Sequence, residues 1–351
     1  MLALSVAACL LLALTAYVLL GGADFGGGVW DLLAGGPRRR EQRALIADAI
    51  GPIWEANHVW LVLVVVLLFT CFPAVFARLA IVLHIPLTLM LIGIVLRGSA
   101  FTFRSYDSQR DAVQRRWGTA FAIASVITPV LLGMCVGAIA SGAVGRAVAA
   151  TGAGVWAQYV APWLTPFAFA IGLLTLALFA FLAATYLTLE GDDATLCEDF
   201  RRRALAAAAA VFVTAAAALA LARRDAPLIG AGLTETAWAL AGQLATGASA
   251  VAAIWALWTR RYRLARAAAA AQAACILWGW AAAQYPFIIP PTYTIQQAAA
   301  PAVTLRLTLI GLAGGALVLV PSLWYLFHVF KGPGTAFQRL GEAHRPPDAE
   351  P

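Results

Sequence analysis

Charge is scarce in this chain of 351 residues: acidic and basic side chains make up 12% of it, and 62% is hydrophobic. A composition this poor in charge, with a mean hydropathy of +0.83, excludes a soluble globular enzyme and describes an integral membrane protein. Cysteine is equally thin. Cys9, Cys71, Cys135, Cys197 and Cys275 stand singly with no CxxC spacing, so neither a disulfide framework nor a zinc site is expected, and they read as small core residues. The sequence has no GxxxxGK[ST] phosphate loop and no HExxH, which removes the usual nucleotide and zinc-peptidase readings. Long polar stretches are missing too: the longest, 98–116 and 188–203, are too short to bury a core of their own. The first apolar run lacks a basic n-region and is followed by arginines, so it reads as a retained helix rather than a cleaved signal.

What remains is apolar helix. A hydrocarbon core of roughly 30 Å takes about 20 helical residues to cross. Runs of that kind are expected over residues 2–22, 45–72, 73–97, 117–143, 161–187, 204–222, 237–258, 267–290 and 304–330. The fold class expected is therefore an all-α membrane protein with nine transmembrane helices, residues 1–330 forming one polytopic domain and 331–351 a tail. Pro86, Pro129 and Pro321 are expected to kink their helices.

Basic residues set an orientation. Arginine clusters at 38–43, 97–116, 201–203 and 260–266, together with Lys331, Arg339 and Arg345, fall on alternate sides of the nine runs. Only Arg78, Arg146, Arg223, Arg224 and Arg306 of the 24 basic residues fall on the other side. The positive-inside rule then puts the N-terminus outside and the C-terminus in the cytoplasm. Arginines at helix ends answer to lipid headgroups, so the net charge of +7 carries no expectation of nucleic acid.

Against this background four carboxylates stand out: Asp24, Asp31, Asp48 and Glu55. Counted from the shared arginine loop, Asp24 and Glu55 lie at similar depth, on the order of 20 Å in if both segments are helical. Asp31 is seven residues from Asp24 and Asp48 seven from Glu55, a spacing that keeps each pair on one helix face. An ionised carboxylate at such depth costs several kcal/mol unless it is paired, wet or protonated, and desolvation suits such a group to carry protons. The four together read as a candidate proton path. For Asp31 and Asp48 the plainer reading is pairing with nearby arginines or helix capping.

Polar and aromatic groups crowd around Glu55 in Gly51-Pro52-Ile53-Trp54-Glu55-Ala56-Asn57-His58-Val59-Trp60-Leu61. A proline frees a backbone carbonyl, and Trp54, Asn57, His58 and Trp60 each need partners, so a protein-lined or watered cavity is expected there. His58 and His84 fall inside expected spans, and His328 and His344 at or beyond the last one. His58 and His84 read as hydrogen-bonded interior residues rather than haem ligands, since no further ligand pair exists in the membrane. No metal site is expected.

The run Gly22-Ala23-Asp24-Phe25-Gly26-Gly27-Gly28, followed by Ala49-Ile50-Gly51-Pro52-Ile53-Trp54-Glu55-Ala56-Asn57-His58-Val59-Trp60-Leu61, resembles subunit II of the cytochrome bd-type quinol oxidases, including their cyanide-insensitive branch. Leu96-Arg97-Gly98-Ser99-Ala100-Phe101-Thr102-Phe103-Arg104, Ala184-Thr185-Tyr186-Leu187 and Tyr285-Pro286-Phe287-Ile288-Ile289-Pro290-Pro291 carry the resemblance onward, with Thr294-Ile295 and Ala299-Ala300-Pro301. The resemblance implies two four-helix bundles plus a peripheral helix in a bacterial cytoplasmic membrane. It implies a haem-bearing partner, subunit I, with haems b and d or b alone, in a complex that oxidises quinol and reduces dioxygen to water. This chain would bind no cofactor alone, stabilise that partner and supply part of a cytoplasmic proton path. Asp24, Glu55, Trp54, Asn57, Trp60, Arg97 and Arg104 fall on the family's positions. Thr102 and Gly21 stand where some members carry acids, and Asp31 and Asp48 are the residues here that could replace them. The resemblance leaves room for a small accessory subunit and for a structural quinone or lipid near Trp54. The competing reading is a proton-coupled secondary transporter or channel built on the same acids.

Overall fold

The computed structural model describes residues 1–50, 54–106, 111–149, 154–191 and 193–331. Within them, side chains of residues 54–56, 104–106 and 111–115 among others lie outside the described set. The chain runs α1 (Leu2–Leu32), α2 (Arg39–Ile50), α3 (Trp54–Cys71), α4 (Pro73–Val82), α5 (His84–Tyr106), α6 (Asp111–Ala140), α7 (Ala143–Ala149) and α8 (Val155–Tyr159). It continues through α9 (Pro166–Leu187), α10 (Ala194–Asp225), α11 (Pro227–Thr234), α12 (Ala239–Trp258) and α13 (Tyr262–Gln284) to a short hairpin, β1 (Phe287–Ile289) and β2 (Tyr293–Thr294). Two helices, α14 (Ile295–Ala298) and α15 (Ala302–Lys331), close it.

Local chemistry sets these boundaries. Thr165 caps α9 by accepting from the Ala168 amide, and Pro166 takes the first helical position, where its missing N–H costs nothing. Asp193 caps α10 through the Thr195 amide. Thr294 and Gln297 form a capping box that turns the hairpin into α14. The hairpin is antiparallel, with Phe287 opposite Thr294 and Ile289 opposite Tyr293.

Among the described residues six helices are long and apolar enough to cross a membrane, or seven if α3 and α4 count as one bent span. The expected spans at 45–72 and 73–97 are not two straight rods. Helix α4 departs from α3 by 117°. Pro73 lacks the N–H that would continue α3, and α4 packs against α7, α8 and α14 instead. Helix α13 is long enough, with 23 residues, but less apolar, since it carries Arg263, Arg266 and Gln272.

The helix α1 sits at the centre, packed on α3, α6 and α9, while α5 pairs with α6, α9 with α10, and α12 with α13. Glycine makes the central packing close. A methyl group at Gly26 would overlap the carbonyl oxygen of Phe179, and one at Gly28 would overlap Ser125 Oγ. The first approach joins α1 to α9 and the second joins α1 to α6, as small residues permit in membrane helix packing. Helix α15 stays at the edge, with Leu307, Ile310, Leu317 and Val318 exposed, as a lipid-facing helix would be.

Among the described residues, the arginine-bearing stretches 38–43, 201–203 and 260–266 meet at one end of the molecule. Arg38 grips Asp199 with two hydrogen bonds of 3.0 and 2.7 Å, and Gln42 joins Asp199 to Arg203. Arg260 reaches Glu198 and Arg266 reaches Glu190. Arg97, counted with the loop arginines in the sequence, is an exception: it is buried within α5.

Candidate functional site

Close packing around the glycines buries the whole stretch from Asp24 to Asp31 of α1. Asp24 therefore faces neighbouring helices, and Asn57 Nδ2 of α3 donates to its Oδ2 at 2.7 Å. Both residues are almost fully buried, at 3% and 1% exposure. The other amide atom, Asn57 Oδ1, has no hydrogen-bond partner among the described residues. A buried acceptor in that position is one a water molecule would satisfy.

A third helix adds a cation. The Arg97 guanidinium of α5 lies over the rings of Phe25 and Phe121, at 4.7 and 5.1 Å, and its Nε donates to Ser125 Oγ at 3.2 Å. It is also within electrostatic reach of Asp24 and Tyr17. Aromatic stacking and opposite charge are the compensations a buried guanidinium requires. His58 sits against Tyr17 and Phe25, with ring centroids 6.2 and 6.1 Å away, and Trp60 packs on the same aromatic cluster.

The remaining candidates separate. Asp31 is fully buried and lies 3.5 Å from Arg43 Nε, whose guanidinium also bonds the Asp31 carbonyl. Asp48 is exposed on α2. The seven-residue spacing linking Asp48 to Glu55 runs through residues 51–53, which lie outside the described residues. The side chains of Trp54, Glu55 and Arg104 lie outside the described residues.

Small residues open a cavity of about 60 Å³ beside Asp24. Asp24, Gly27, Asn57, Tyr186, Glu190 and Arg266 are among its lining. Tyr186 comes from the helix exit that carries the family motif. Glu190 and Arg266 were not among the residues singled out from the sequence. The available signal was spacing: Glu190 follows Tyr186 by four residues, just past the end of α9, but it sits beside Asp192 and Asp193, which read as a solvated loop.

The two histidines of the expected spans have unlike surroundings. His58 lies in the aromatic cluster with Tyr17 and Phe25, whereas His84 is exposed, contacts Tyr159 and has Nδ1 2.9 Å from the Ile81 carbonyl. Two imidazoles in such different surroundings do not make a facing pair. The described residues also contain no group of three or more His, Cys, Asp or Glu placed to hold a metal ion.

Residues 2–330 match the profile of the cytochrome bd terminal oxidase subunit II family. The cytochrome bd ubiquinol oxidase subunit 2 of Bacillus subtilis is 31% identical over 118 residues, 34% of this chain and 34% of that protein. The cytochrome bd-I ubiquinol oxidase subunit 2 of Escherichia coli K12 is 26% identical over 129 residues, 37% of this chain and 33% of that protein. These alignments thus span about a third of each relative. The bd oxidase structure from Geobacillus thermodenitrificans superposes with a TM-score of 0.79 at 22% identity, covering 95% of this chain and 99% of that one.

Proposed function

The chain belongs to the cytochrome bd terminal oxidase subunit II family, and from that membership we propose that it is the non-haem subunit of a quinol:oxygen oxidoreductase. In this reading it works only with a haem-bearing subunit I in a bacterial cytoplasmic membrane. The haems, b and d or b alone, belong to that partner and supply the reduction of dioxygen to water. This chain stabilises the partner and carries part of the proton supply from the cytoplasm. Its helices form two four-helix bundles and a peripheral α15, with the N-terminus outside and residues 331–351 as a cytoplasmic tail.

The observation that carries the proposal is the buried Asp24–Asn57 pair at 2.7 Å. It lies on the family's glycine motif, in a helix whose only other ionisable carboxyl is Asp31. A carboxyl retained at such depth is a functional feature by default. Asp24 and Glu55 are proposed as the inner proton carriers, with Asp31 and Asp48 as outer candidates. Trp54, Asn57, His58, Trp60, Arg97 and Arg104 are proposed as the residues that support them.

The test is purification of the tagged chain from its host in mild detergent, with a reduced-minus-oxidised visible spectrum of what accompanies it. A haem-bearing membrane partner and quinol-dependent oxygen uptake that falls in Asp24→Asn and Glu55→Gln are expected. A stable haem-free chain with no partner would reject the oxidase reading in favour of a transporter. Full turnover in both variants would leave a purely structural subunit.

A further inference from the structure

We propose that Glu190, held by Arg266 beside Tyr186, is the aqueous mouth of the proton route and delivers protons through the shared cavity to Asp24. The inference rests on the proton-route reading above and adds the residues at its entrance.

Three observations lead to Glu190. First, Asp24 and Glu190 line the same cavity. Its volume is about 60 Å³, and one water needs about 10–15 Å³ of such space, so there is room for a few molecules. Second, the lining carries further polar side chains besides these two acids: Asn57, which donates to Asp24, Tyr186, and Arg266, which pairs with Glu190. Asn57 Oδ1, buried and without a described partner, supplies the acceptor that a water next to Asp24 requires. Third, the two acids differ in exposure. Asp24 is 3% exposed, while the side chains of Glu190 and Arg266 are 20% and 45% exposed.

Arg266 makes the entrance specific. Its Nη1 lies 3.9 Å from Glu190 Oε1, and its guanidinium covers the Tyr186 ring at 4.8 Å. The ring fixes the arginine, and the arginine keeps the carboxylate at the rim, a planar role lysine does not fill. Glu190 takes a proton from bulk water and passes it to a cavity water. That water releases one of its own protons inward, and the Asp24 carboxylate receives it. No other group changes its covalent state. Neither Asp31 nor Asp48 lines this cavity; Asp31 is engaged with Arg43, and Asp48 is exposed on α2.

The experiment uses the intact complex in proteoliposomes. Proton uptake during a single turnover is followed with a pH-indicator dye, alongside oxygen uptake, for Glu190→Gln, Glu190→Asp, Gly27→Val and Asp24→Asn, each normalised to haem content. Glu190→Gln is expected to slow proton uptake about tenfold or more, as loss of a proton-transfer group does, and Glu190→Asp to restore most of the rate. Gly27→Val, which pushes bulk toward Ile50 across the cavity wall, should slow uptake with Glu190 intact. If Glu190→Gln keeps the wild-type rate while Asp24→Asn is slow, the mouth is wrong and the route through Asp24 stands. If both keep the wild-type rate, the route fails and the mouth with it. Should Glu190→Gln fail to assemble, Gly27→Val decides, and a wild-type rate there overturns the proposal.

Discussion

Asn57 of α3 donates a 2.7 Å hydrogen bond to Asp24 of α1, and both are buried at the crossing of the two helices. The strength of this bond depends on the charge of Asp24. Bonds between neutral groups in membrane proteins average about 0.6 kcal/mol, whereas bonds to a charged group are worth about 1.5–3 kcal/mol. Asn57→Leu should therefore lower stability by an amount that reports the protonation of Asp24. We expect the larger loss, because the Arg97 guanidinium is within electrostatic reach. Thermal unfolding of the detergent-solubilised complex at neutral pH checks it, and a loss under about 1 kcal/mol would indicate a protonated Asp24.

Gly26 makes a different kind of claim. A methyl there meets the Phe179 backbone carbonyl and the Ala183 methyl of α9, and backbone cannot turn aside as a side-chain tip can. Gly26→Ala should cost about 1–3 kcal/mol by overpacking, visible as a lower thermal midpoint and a poorer yield of assembled complex. Gly118, where an added methyl meets nothing within 4 Å, is the control, and Gly118→Ala should be close to neutral.

Much of this was legible in the sequence because hydropathy reports which residues avoid water. The long helices and the acids of α1 follow from that alone. Direction and depth did not. Between Trp60 and Arg78 the run is broken only by Thr70, so nothing polar marks the 117° turn at Pro73. Arg97 counted as a loop arginine because charge along a chain carries no depth, yet Phe25, Phe121 and Ser125 accommodate it inside the protein. Glu190 escaped notice because what distinguishes it is a cavity shared with Asp24, formed by helices far apart in sequence.

At the arginine-rich end, Glu198 accepts from Arg201 at 2.5 Å and also pairs with Arg202 and Arg260. The hydrogen bond from Arg201 holds its carboxyl down to about 2, below the ordinary 4.5. A depressed carboxyl pKa stabilises the fold fully above the unfolded value, and that stabilisation is lost as pH falls from 4.5 towards 2. The thermal midpoint of the wild-type complex should thus drop more steeply between pH 5 and pH 3 than that of Glu198→Gln. Parallel curves would show that this ion pair is screened and contributes nothing measurable.

Arg97 and Asp24 allow a stricter test, because each is a buried charge whose cost depends on the other. Removing one partner of a buried pair strands its counterpart, at about 3–5 kcal/mol, whereas removing both leaves no stranded charge. Arg97→Gln and Asp24→Asn should each reduce the stability of the assembled complex, and the double variant should lose less than the two single losses combined. A coupling of about 0.5–3 kcal/mol is the expected range for groups in one network. Arg97→Lys should not rescue the single loss. The guanidinium spans two aromatic faces, Phe25 at 4.7 Å and Phe121 at 5.1 Å, while its Nε holds Ser125, and an ammonium cannot stack in that way. Full additivity in the double variant would mean that Arg97 is held by its rings and serine alone. Asp24 would then be kept in the membrane without help from that charge, which only a neutral carboxyl or the cavity water could make tolerable.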